Sequence, residues 1–363
     1  VVSAMDNTNA CANRIAHIVS NAQAITTPFG RTQIGHDFEM TLRTLAGVGA
    51  HPNVAAVLVL GLSLASANAL AERIRPSGKP VKVLGLQEAG NTMALTAEGA
   101  RVAADLVVTA SENVRESCDF SDLVVAVECG GSDTTSGLAG NPTVGLFADR
   151  FIDAGGTIIL SEPAEFMGAE HILAKRAVNP ADAERILEMV KWFEEEAERN
   201  GVDMRGTNPT ADNIDGGLTT LEEKSLGAIV KGGSRPIVEV IEYAELPSKR
   251  GLVVMNTPSA ACESMTGLLG GGSQLIIFST GRGNAIGAPI SPTVKITGNP
   301  RTASAMRENI DVDVSAIISK SEPLDSAAER LWGEMVKIAQ GKLTRCEVLQ
   351  EEQLSVSRFG PSV

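Results

Sequence analysis

Short apolar runs alternate with amphipathic stretches along the chain. Most of these runs are nearly continuous in apolar residues, as expected for strands that are buried on both faces of a sheet. The strands predicted from this pattern are Ala22–Thr26, Val54–Gly61, Val81–Leu86, Leu123–Glu128, Thr157–Ser161, Ile237–Tyr243, Leu252–Asn256, Gln274–Thr280 and Val294–Thr297.

Segments with the apolar spacing of helices lie between the predicted strands. One of them begins at Pro142, directly after Asn141, which places a good N-cap residue before a proline in the first turn. The repeated order of strand and helix predicts an α/β fold with a doubly wound, mostly parallel sheet. The predicted helices are Ala10–Ser20, Asp37–Val48, Ala94–Ser117, Pro142–Asp153, Ala181–Asn200, Leu218–Val230, Ser259–Leu269, Arg301–Asn309 and Ser326–Gly341.

The clearest irregular stretch is 201–217, which is rich in glycine, asparagine, aspartate and threonine. Such residues favour turns. We therefore predict a first α/β half at 1–200, an irregular connector at 201–217 and a second α/β half at 218–363. The chain begins at Val1 rather than at a methionine, and we expect an initial segment to precede it.

Charge and cysteine content narrow the setting in which the chain works. Its net charge is −13, from 44 acidic and 31 basic residues, which disfavours nucleic acid and anionic membranes as partners. No apolar run approaches the roughly 20 residues that cross a bilayer. The five cysteines form no CxxC pair, which indicates reduced thiols and a cytoplasmic location.

The loop Glu128–Gly137 follows a predicted buried strand, at the end of a sheet where α/β proteins bind ligands. Cys129 and Asp133 offer metal-ligand atoms, whereas Ser132 and Thr134 offer hydroxyl groups to a substrate. The glycines of the loop allow backbone N–H groups to approach an anion. The alternative interpretation is a flexible turn around a buried cysteine.

A carboxylate and an imidazole follow the next predicted strand. Glu162 stands at the strand end, and His171 follows about two helical turns later. The two side chains could share a divalent metal, or act as a base and the group that orients it. The alternative is a surface helix that carries a solvated histidine.

The segment Asn213–Gly227 precedes and enters a predicted helix. Asn213 and Lys224 would flank a helix N-terminus that is well placed for a carboxylate. The alternative is structural, because the threonines and glutamates of this segment resemble a capping box.

Two arginines in glycine-containing loops are candidate anion holders. Arg282 stands between two glycines after the strand Gln274–Thr280, and Arg31 follows Gly30 near the start of the chain. A guanidinium group can bind a carboxylate or sulfonate through paired hydrogen bonds. For Arg282 the alternative is a tight turn with an exposed arginine; for the loop of Arg31 it is that Asp37 caps the next helix and His36 is solvated. The phosphate-loop motif is absent, and the glycines at 281, 283 and 287 miss the dinucleotide-binding spacing by one residue, so nucleotide binding is poorly supported.

Taken in order, these loops resemble the altronate and galactarate dehydratase family, whose members include the large subunit of (2R)-sulfolactate sulfo-lyase. The likeness spans nearly the whole chain. The matching segments are ECGGSDTTSG…NPTVG at 128–145, SEPAEFMGAEH at 161–171, NIDGGLTTLEEKSLG at 213–227, STGRGNAIG at 279–287 and NPRTASAMRENIDVDVS at 299–315.

The resemblance implies a Rossmann-like catalytic module that performs a metal-supported elimination, with Fe²⁺ as the expected divalent metal. It also implies a small SAF-like domain, here either a separate subunit or a missing N-terminal domain, and an oligomer. The dehydratase branch carries a Gly-Cys-Gly loop near its start, where this chain has Pro28-Phe29-Gly30-Arg31. That departure favours the sulfo-lyase branch.

The implied reaction begins with removal of the proton next to a carboxylate and ends with loss of the group on the neighbouring carbon. Lys224 is the expected base, with His171 as its rival, and Arg282 and Arg31 would hold the anionic ends of the substrate. The expected metal site contains Cys129, Glu162 and His171, with Asp133 behind them.

The leading hypothesis is therefore a lyase that converts sulfolactate to pyruvate and sulfite. The alternative within the same class is a hydro-lyase that removes water from altronate or galactarate. A hypothesis from another class is a non-catalytic protein that binds a small acid, although such a binder would need fewer polar loops.

Overall fold

A computed structural model describes residues 1–360 and 362 of the chain. Within these residues the strands form two separate sheets in which every pairing between neighbouring strands is parallel. The strands are β1 (Val2–Ser3), β2 (Val57–Gly61), β3 (Val81–Gly85), β4 (Val124–Cys129), β5 (Thr157–Leu160), β6 (Ile237–Ile241), β7 (Leu252–Met255), β8 (Leu275–Ser279), β9 (Thr293–Thr297) and β10 (Val312–Asp313).

The helices cover the faces of both sheets and fill the connections between strands. They are α1 (Asn9–Ile18), α2 (Gly35–Ala50), α3 (Leu64–Ile74), α4 (Leu86–Ala89), α5 (Thr92–Ala110), α6 (Asn141–Asp153), α7 (Glu170–Ala174), α8 (Pro180–Arg199), α9 (Met204–Thr207), α10 (Ala211–Asp215), α11 (Leu221–Ile229), α12 (Ala261–Gly270), α13 (Pro300–Ala305), α14 (Leu324–Ala339) and α15 (Arg345–Leu349). In the described residues, no helix has both the length and the apolar character that a membrane span requires.

The smaller sheet has the strand order β1-β2-β3 and is built from the first quarter of the chain. Its central strand is completely buried, because α1, α2, α3 and α5 pack around the sheet. Leu45, Val59 and Leu70 contribute to the core on one side, and Ile15 and Leu60 contribute to the core on the other.

The larger sheet has the order β10-β9-β8-β4-β5-β7-β6. The chain passes from β4 through α6 to β5 on one side of β4, and later passes from α12 to β8 on the other side. Successive connections therefore diverge at β4, and such a switch point leaves a crevice beyond the carboxyl ends of the strands. The loops that follow β4, β5 and β8 meet there.

Fully buried aromatic and branched side chains close the face of the larger sheet that α6 and α14 cover. Phe147 and Phe151 of α6 stack on each other, with ring centroids 5.6 Å apart, and both contact Trp332 of α14. Burial of rings of this size contributes a large part of the stability of a core. The strand ends above this core are therefore held on a rigid support.

The structure confirms the predicted α/β fold with a parallel sheet. The pairing of strands does not follow the predicted division at 201–217, because β5 before this stretch pairs directly with β7 after it. The stretch is a connection within one sheet, and the change of sheet falls instead between β3 and β4. The predicted strand Ala22–Thr26 forms only a single bridge, from Ile25 to Val2.

Candidate functional site

A cleft of about 470 Å³ opens beyond the carboxyl ends of β4 and β5, at the switch point of the larger sheet. Its walls come from the loop after β4, the turn after β5, the segment around α9 and α10, α11, and the loop before α12. The residues that line it are Cys129, Gly130, Gly131, Ser132, Glu162, Glu165, Met204, Thr207, Asn208, Thr210, Asp212, Asn213, Lys224, Ser259 and Ala260.

A buried ion pair and a thiol lie at the base of the cleft. Lys231 Nζ is 3.0 Å from Glu162 Oε2 and 3.4 Å from Cys129 Sγ. The same Glu162 oxygen accepts from the Cys129 backbone N–H at 3.1 Å and from its thiol at 3.4 Å. One carboxylate oxygen thus holds three donors, and the Lys231 side chain is fully buried.

Glu162 is held in an unusual backbone conformation. Its φ is +67°, in the left-handed region that a residue with a side chain rarely occupies. Its N–H donates to Thr257 Oγ1 at 2.9 Å, and Pro163 follows directly. Such a conformation persists only where its surroundings enforce it, and it is common at functional sites. Here it directs the Glu162 carboxylate toward Cys129 and Lys231.

A second carboxyl group lies behind Glu162. Glu128 is fully buried, and its Oε2 accepts from Ser161 Oγ at 2.9 Å and from Ser264 Oγ at 2.6 Å. Burial, and then the charge of Glu162, raise the pKa of Glu128 well above its usual range. The pKa is raised because two carboxyl groups lie together in a dry interior, where one of them keeps its proton.

The surroundings also change the pKa values of the Cys129 thiol and the Lys231 ammonium. Burial, and then the negative charge of Glu162, raise the pKa of Cys129, so the neutral thiol is favoured. Burial lowers the pKa of Lys231, but the acidic groups Cys129, Glu162 and Glu128 more than reverse this effect, so its pKa lies above the ordinary value. The base of the cleft therefore contains a stable ammonium and an unreactive thiol.

Lys224 faces the cleft from α11. Its Nζ is 3.0 Å from Glu165 Oε2 and 2.7 Å from Asn208 Oδ1. The side chains of Lys224 and Glu165 are 10% and 9% exposed, so water has little access to this pair. An amine held between a carboxylate and an amide oxygen, at the wall of a cleft, is well oriented for proton transfer.

Glycine contacts join the loops that follow β4 and β8. The N–H groups of Gly281 and Arg282 donate to the Gly131 carbonyl at 3.2 and 2.8 Å, and Gly131 itself has a φ of +67°. A side chain at position 281 would collide with Asp133, because a Cβ there would lie 2.2 Å from the carboxylate. The two loops can pack this closely only because glycine stands at both positions.

The structure brings together five of the residues that the sequence selected. Cys129, Ser132, Glu162, Asn213 and Lys224 all line the cleft. Two of these residues also contact each other. The Asn213 side chain donates to the Ser132 carbonyl at 2.9 Å, and this hydrogen bond ties α10 to the loop after β4.

Asp133, Thr134 and Arg282 lie next to the cleft rather than in its wall. Asp133 is buried, and its carboxylate accepts from Thr135 at 2.6 Å and from Asn299 at 2.7 Å. Thr134 Oγ1 donates to the Gly216 carbonyl at 2.9 Å. The Arg282 side chain is exposed beside Gly131. Asp133 and Thr134 therefore fix the loop, and Arg282 remains open to a ligand.

Two of the selected residues are not brought to this cleft. His171 is exposed on the short helix α7, and Arg31 is exposed in the loop before α2. Neither is among the residues that line the cleft. The interpretation of His171 as a solvated surface histidine, which the sequence left open, matches this position.

The expected metal-site residues do not assemble into a set of ligands. Only Cys129 and Glu162 are in contact, and both already bind the Lys231 ammonium. Asp133 is engaged with Thr135 and Asn299. Among residues 1–360 and 362, no group of three or more His, Cys, Asp and Glu side chains is arranged to hold a metal ion. The residues present thus do not fit the expected divalent metal.

Four functional residues did not enter the sequence-based selection: Glu128, Glu165, Asn208 and Lys231. Glu128 ends an apolar strand run, and Lys231 follows the apolar run Gly227–Val230. A charged residue in such a context signals a buried partner. Glu165 lies in the matching segment 161–171 but was not selected. Asn208 lies in the stretch interpreted as a connector, where the sequence carries no comparable signal.

Comparison with known proteins covers nearly the whole chain. Residues 120–362 match the family described as D-galactarate/Altronate dehydratase, C-terminal. Residues 1–111 match the family described as D-galactarate dehydratase/Altronate hydrolase, second domain. The boundary between the two matches falls between β3 and β4, where the structure changes from the smaller to the larger sheet.

Curated relatives show the same relationship. The chain is 39% identical to the (2R)-sulfolactate sulfo-lyase subunit beta of Chromohalobacter salexigens, over 98% of this chain and 91% of the relative. It is 31% identical to the altronate dehydratase of Bacillus subtilis, over 94% of this chain and 68% of the relative. It is 34% identical to the galactarate dehydratase (L-threo-forming) of Escherichia coli, over 64% and 44%. The chain therefore belongs to the galactarate and altronate dehydratase family and is an enzyme of the lyase class.

Proposed function

We propose that this enzyme performs a β-elimination on a small anionic 2-hydroxy acid, and that sulfolactate is its substrate. The observation that carries the proposal is the cleft at the switch point, which Lys224 with Glu165 and Cys129 with Glu162 line together. Its volume of about 470 Å³ is in the range of small-molecule sites.

Lys224 is the proposed base. Glu165 Oε2 lies 3.0 Å from the Lys224 Nζ, within hydrogen-bond reach, so the carboxylate can orient the amine toward the substrate. Asn208 then fixes the direction of the amine through its 2.7 Å contact.

Arg282 is the proposed holder of one anionic end of the substrate. Its guanidinium is exposed beside the glycine loop, and its backbone is fixed by the Gly131 carbonyl. Arg31, which first favoured a sulfonate, does not line the cleft. The preference for sulfolactate therefore depends on the 39% identity to the sulfo-lyase subunit, which extends over 91% of that relative.

A partner subunit is part of the proposal. The sulfo-lyase relative is named subunit beta, so we expect this chain to work with a second, smaller subunit that contains the SAF-like domain. The iron and the oligomer that the family resemblance implied stay predictions. Metal analysis of anaerobically purified protein, together with identification of any co-purifying chain, tests these expectations.

A substrate assay under reducing conditions, with the co-purifying partner and added iron, tests the function. We expect pyruvate and sulfite from sulfolactate, and a loss of turnover of roughly 10² to 10⁴-fold in Lys224→Met, as for removal of a general base. Lys191→Met is the matched control, because Lys191 is exposed on α8. Turnover of altronate or galactarate without turnover of sulfolactate would replace the proposal by a sugar-acid dehydratase.

A different outcome would support a protein that only binds its acid. If none of these acids is converted, and Lys224→Met binds them as well as the parent protein does, the catalytic proposal is wrong. Binding is measured by calorimetry with each acid, so that loss of binding and loss of chemistry are separated.

A further inference from the structure

We propose that the ammonium of Lys231 is the resident cation of the Cys129–Glu162 pair, and that it takes the place that a divalent metal ion would occupy between them. Lys231 is then a positioning residue that holds the thiol and the carboxylate at the base of the cleft. The inference concerns this corner of the site alone and does not depend on which acid the enzyme converts.

The Lys231 ammonium already contacts both the thiol and the carboxylate. A thiol and a carboxylate in contact are donors that a divalent ion such as Fe²⁺ or Zn²⁺ accepts. The Lys231 Nζ already lies between them, 3.0 Å from Glu162 Oε2 and 3.4 Å from Cys129 Sγ. A metal ion bound to both atoms would have to displace this ammonium, which is fully buried.

The positive charge of Lys231 also disfavours a second cation at this position. The Lys231 ammonium already places one positive charge beside the Glu162 carboxylate, with Nζ 3.0 Å from Oε2 and the two side chains 0% and 2% exposed. An additional divalent cation would place two positive centres in contact without water between them, which is unfavourable in a dry interior. The ammonium satisfies the acceptors and the charge balance at the same time.

The backbone around Lys231 is built to bring it there. Lys231 lies in the short turn that follows α11, and Gly232 comes next. A Cβ at position 232 would lie 2.9 Å from Leu160 Cδ2, and a Cβ at Gly145 would lie 2.1 Å from the Val230 carbonyl oxygen. Two glycines therefore let the turn approach β5 and α6 closely enough for the lysine to reach beneath Glu162.

Cobalt spectroscopy on the complete enzyme, with any co-purifying partner, tests the inference. Co²⁺ bound to a thiolate has an intense charge-transfer absorption, which reports on Cys129 without any measurement of activity. We expect no such band that depends on Cys129 in the parent protein, so that Cys129→Ala leaves both the spectrum and the metal content unchanged. We expect Lys231→Ala to gain the band, and Lys231→Ala with Cys129→Ala to lose it again.

Lys224→Ala is the matched control, because it removes a lysine from the same cleft without touching Cys129, and it should not gain the band. A thiolate band in the parent protein that disappears in Cys129→Ala would overturn the inference. Absence of the band in a folded Lys231→Ala variant would also overturn it. If Lys231→Ala does not fold, the comparison of the parent protein with Cys129→Ala decides. An enzyme that fails to convert sulfolactate leaves these spectra unaffected, so the two proposals fail separately.

Discussion

Replacement of Lys231 by methionine should remove a large part of the stability of the protein. Methionine keeps an unbranched side chain of similar length but leaves Glu162 without its cation. Lys231 and Glu162 are 0% and 2% exposed and 3.0 Å apart. With an effective dielectric constant of about 20, their attraction is about 5.5 kcal/mol at that distance. Removal of one partner from a buried pair typically costs roughly 3–5 kcal/mol.

The expected result is a decrease of about 3–5 kcal/mol in the free energy of unfolding, measured by urea denaturation and circular dichroism. Arg205→Met provides the control, because the Arg205–Glu222 pair is 57% and 47% exposed. An exposed pair of this kind contributes at most about 1 kcal/mol. The effect should not vary across neutral pH, because the pKa of Lys231 is raised. Its contribution is fully present below the ordinary value of 10.5 and is lost only as the pH rises through the raised value.

A second variant separates loss of charge balance from loss of packing. Lys231→Met combined with Glu162→Gln removes both charges, so we expect it to recover part of the stability lost in Lys231→Met alone. A cost no larger than that of Arg205→Met would refute the reasoning. So would a double variant that is less stable than Lys231→Met, because the buried carboxylate would then not be the source of the penalty.

Three further predictions concern other parts of the chain. Burial lowers the pKa of His51 from 6.5 to about 4, so the contribution of His51 to the unfolding free energy should be fully present above pH 6.5 and decrease as the pH approaches 4; His51→Gln should lack this contribution, and a slope equal to that of the parent protein would contradict the assignment. Iodoacetamide should modify the exposed Cys118 at neutral pH and spare Cys129, which is buried with a raised pKa; mass spectrometry gives the order, and early labelling of Cys129 would count against the neutral thiol. Arg282→Ala should raise KM for the acid about tenfold or more, whereas Arg31→Ala and His171→Ala should leave kcat/KM nearly unchanged; steady-state kinetics decides, and a large loss in either control would return that residue to the site.

The parts of the fold that the sequence predicted well are those in which apolar periodicity is strong. The central strands β5, β7 and β8 are completely buried, β4 is buried after its first residue, and each was predicted within two residues of its bounds. Helix α3 was missed. Its sequence LASANALAERI contains many alanines, so its apolar face is weakly marked although Leu70 and Ile74 are fully buried.

The division of the chain was predicted less well, because composition reports local chain properties and not strand partners. The stretch 201–217 contains many turn-forming residues, yet it folds into the short helices α9 and α10 that form one wall of the cleft. The true change of sheet lies in 86–123, which contains the long helix α5 and no comparable cluster of turn formers. Only the pairing of β5 with β7 reveals that the later strands return to the same sheet.

The general rule for parallel sheets predicts the position of the site, but it does not predict every residue that the site contains. The rule is that strand ends at a switch point carry the ligands, and it places the loops after β4, β5 and β8 together without any knowledge of side-chain contacts. It therefore led to the selection of Cys129, Glu162 and Arg282. It could not find Lys231, which lies in a turn after a helix and pairs with Glu162 without lining the cleft itself. Lys231 donates to both Cys129 and Glu162. The two residues, which the sequence suggested as metal ligands, are therefore the acceptors of an internal cation. Residues that complete a site from outside its loops thus decide its chemistry, and a charged residue beside an apolar run is the sequence signal by which they can be sought.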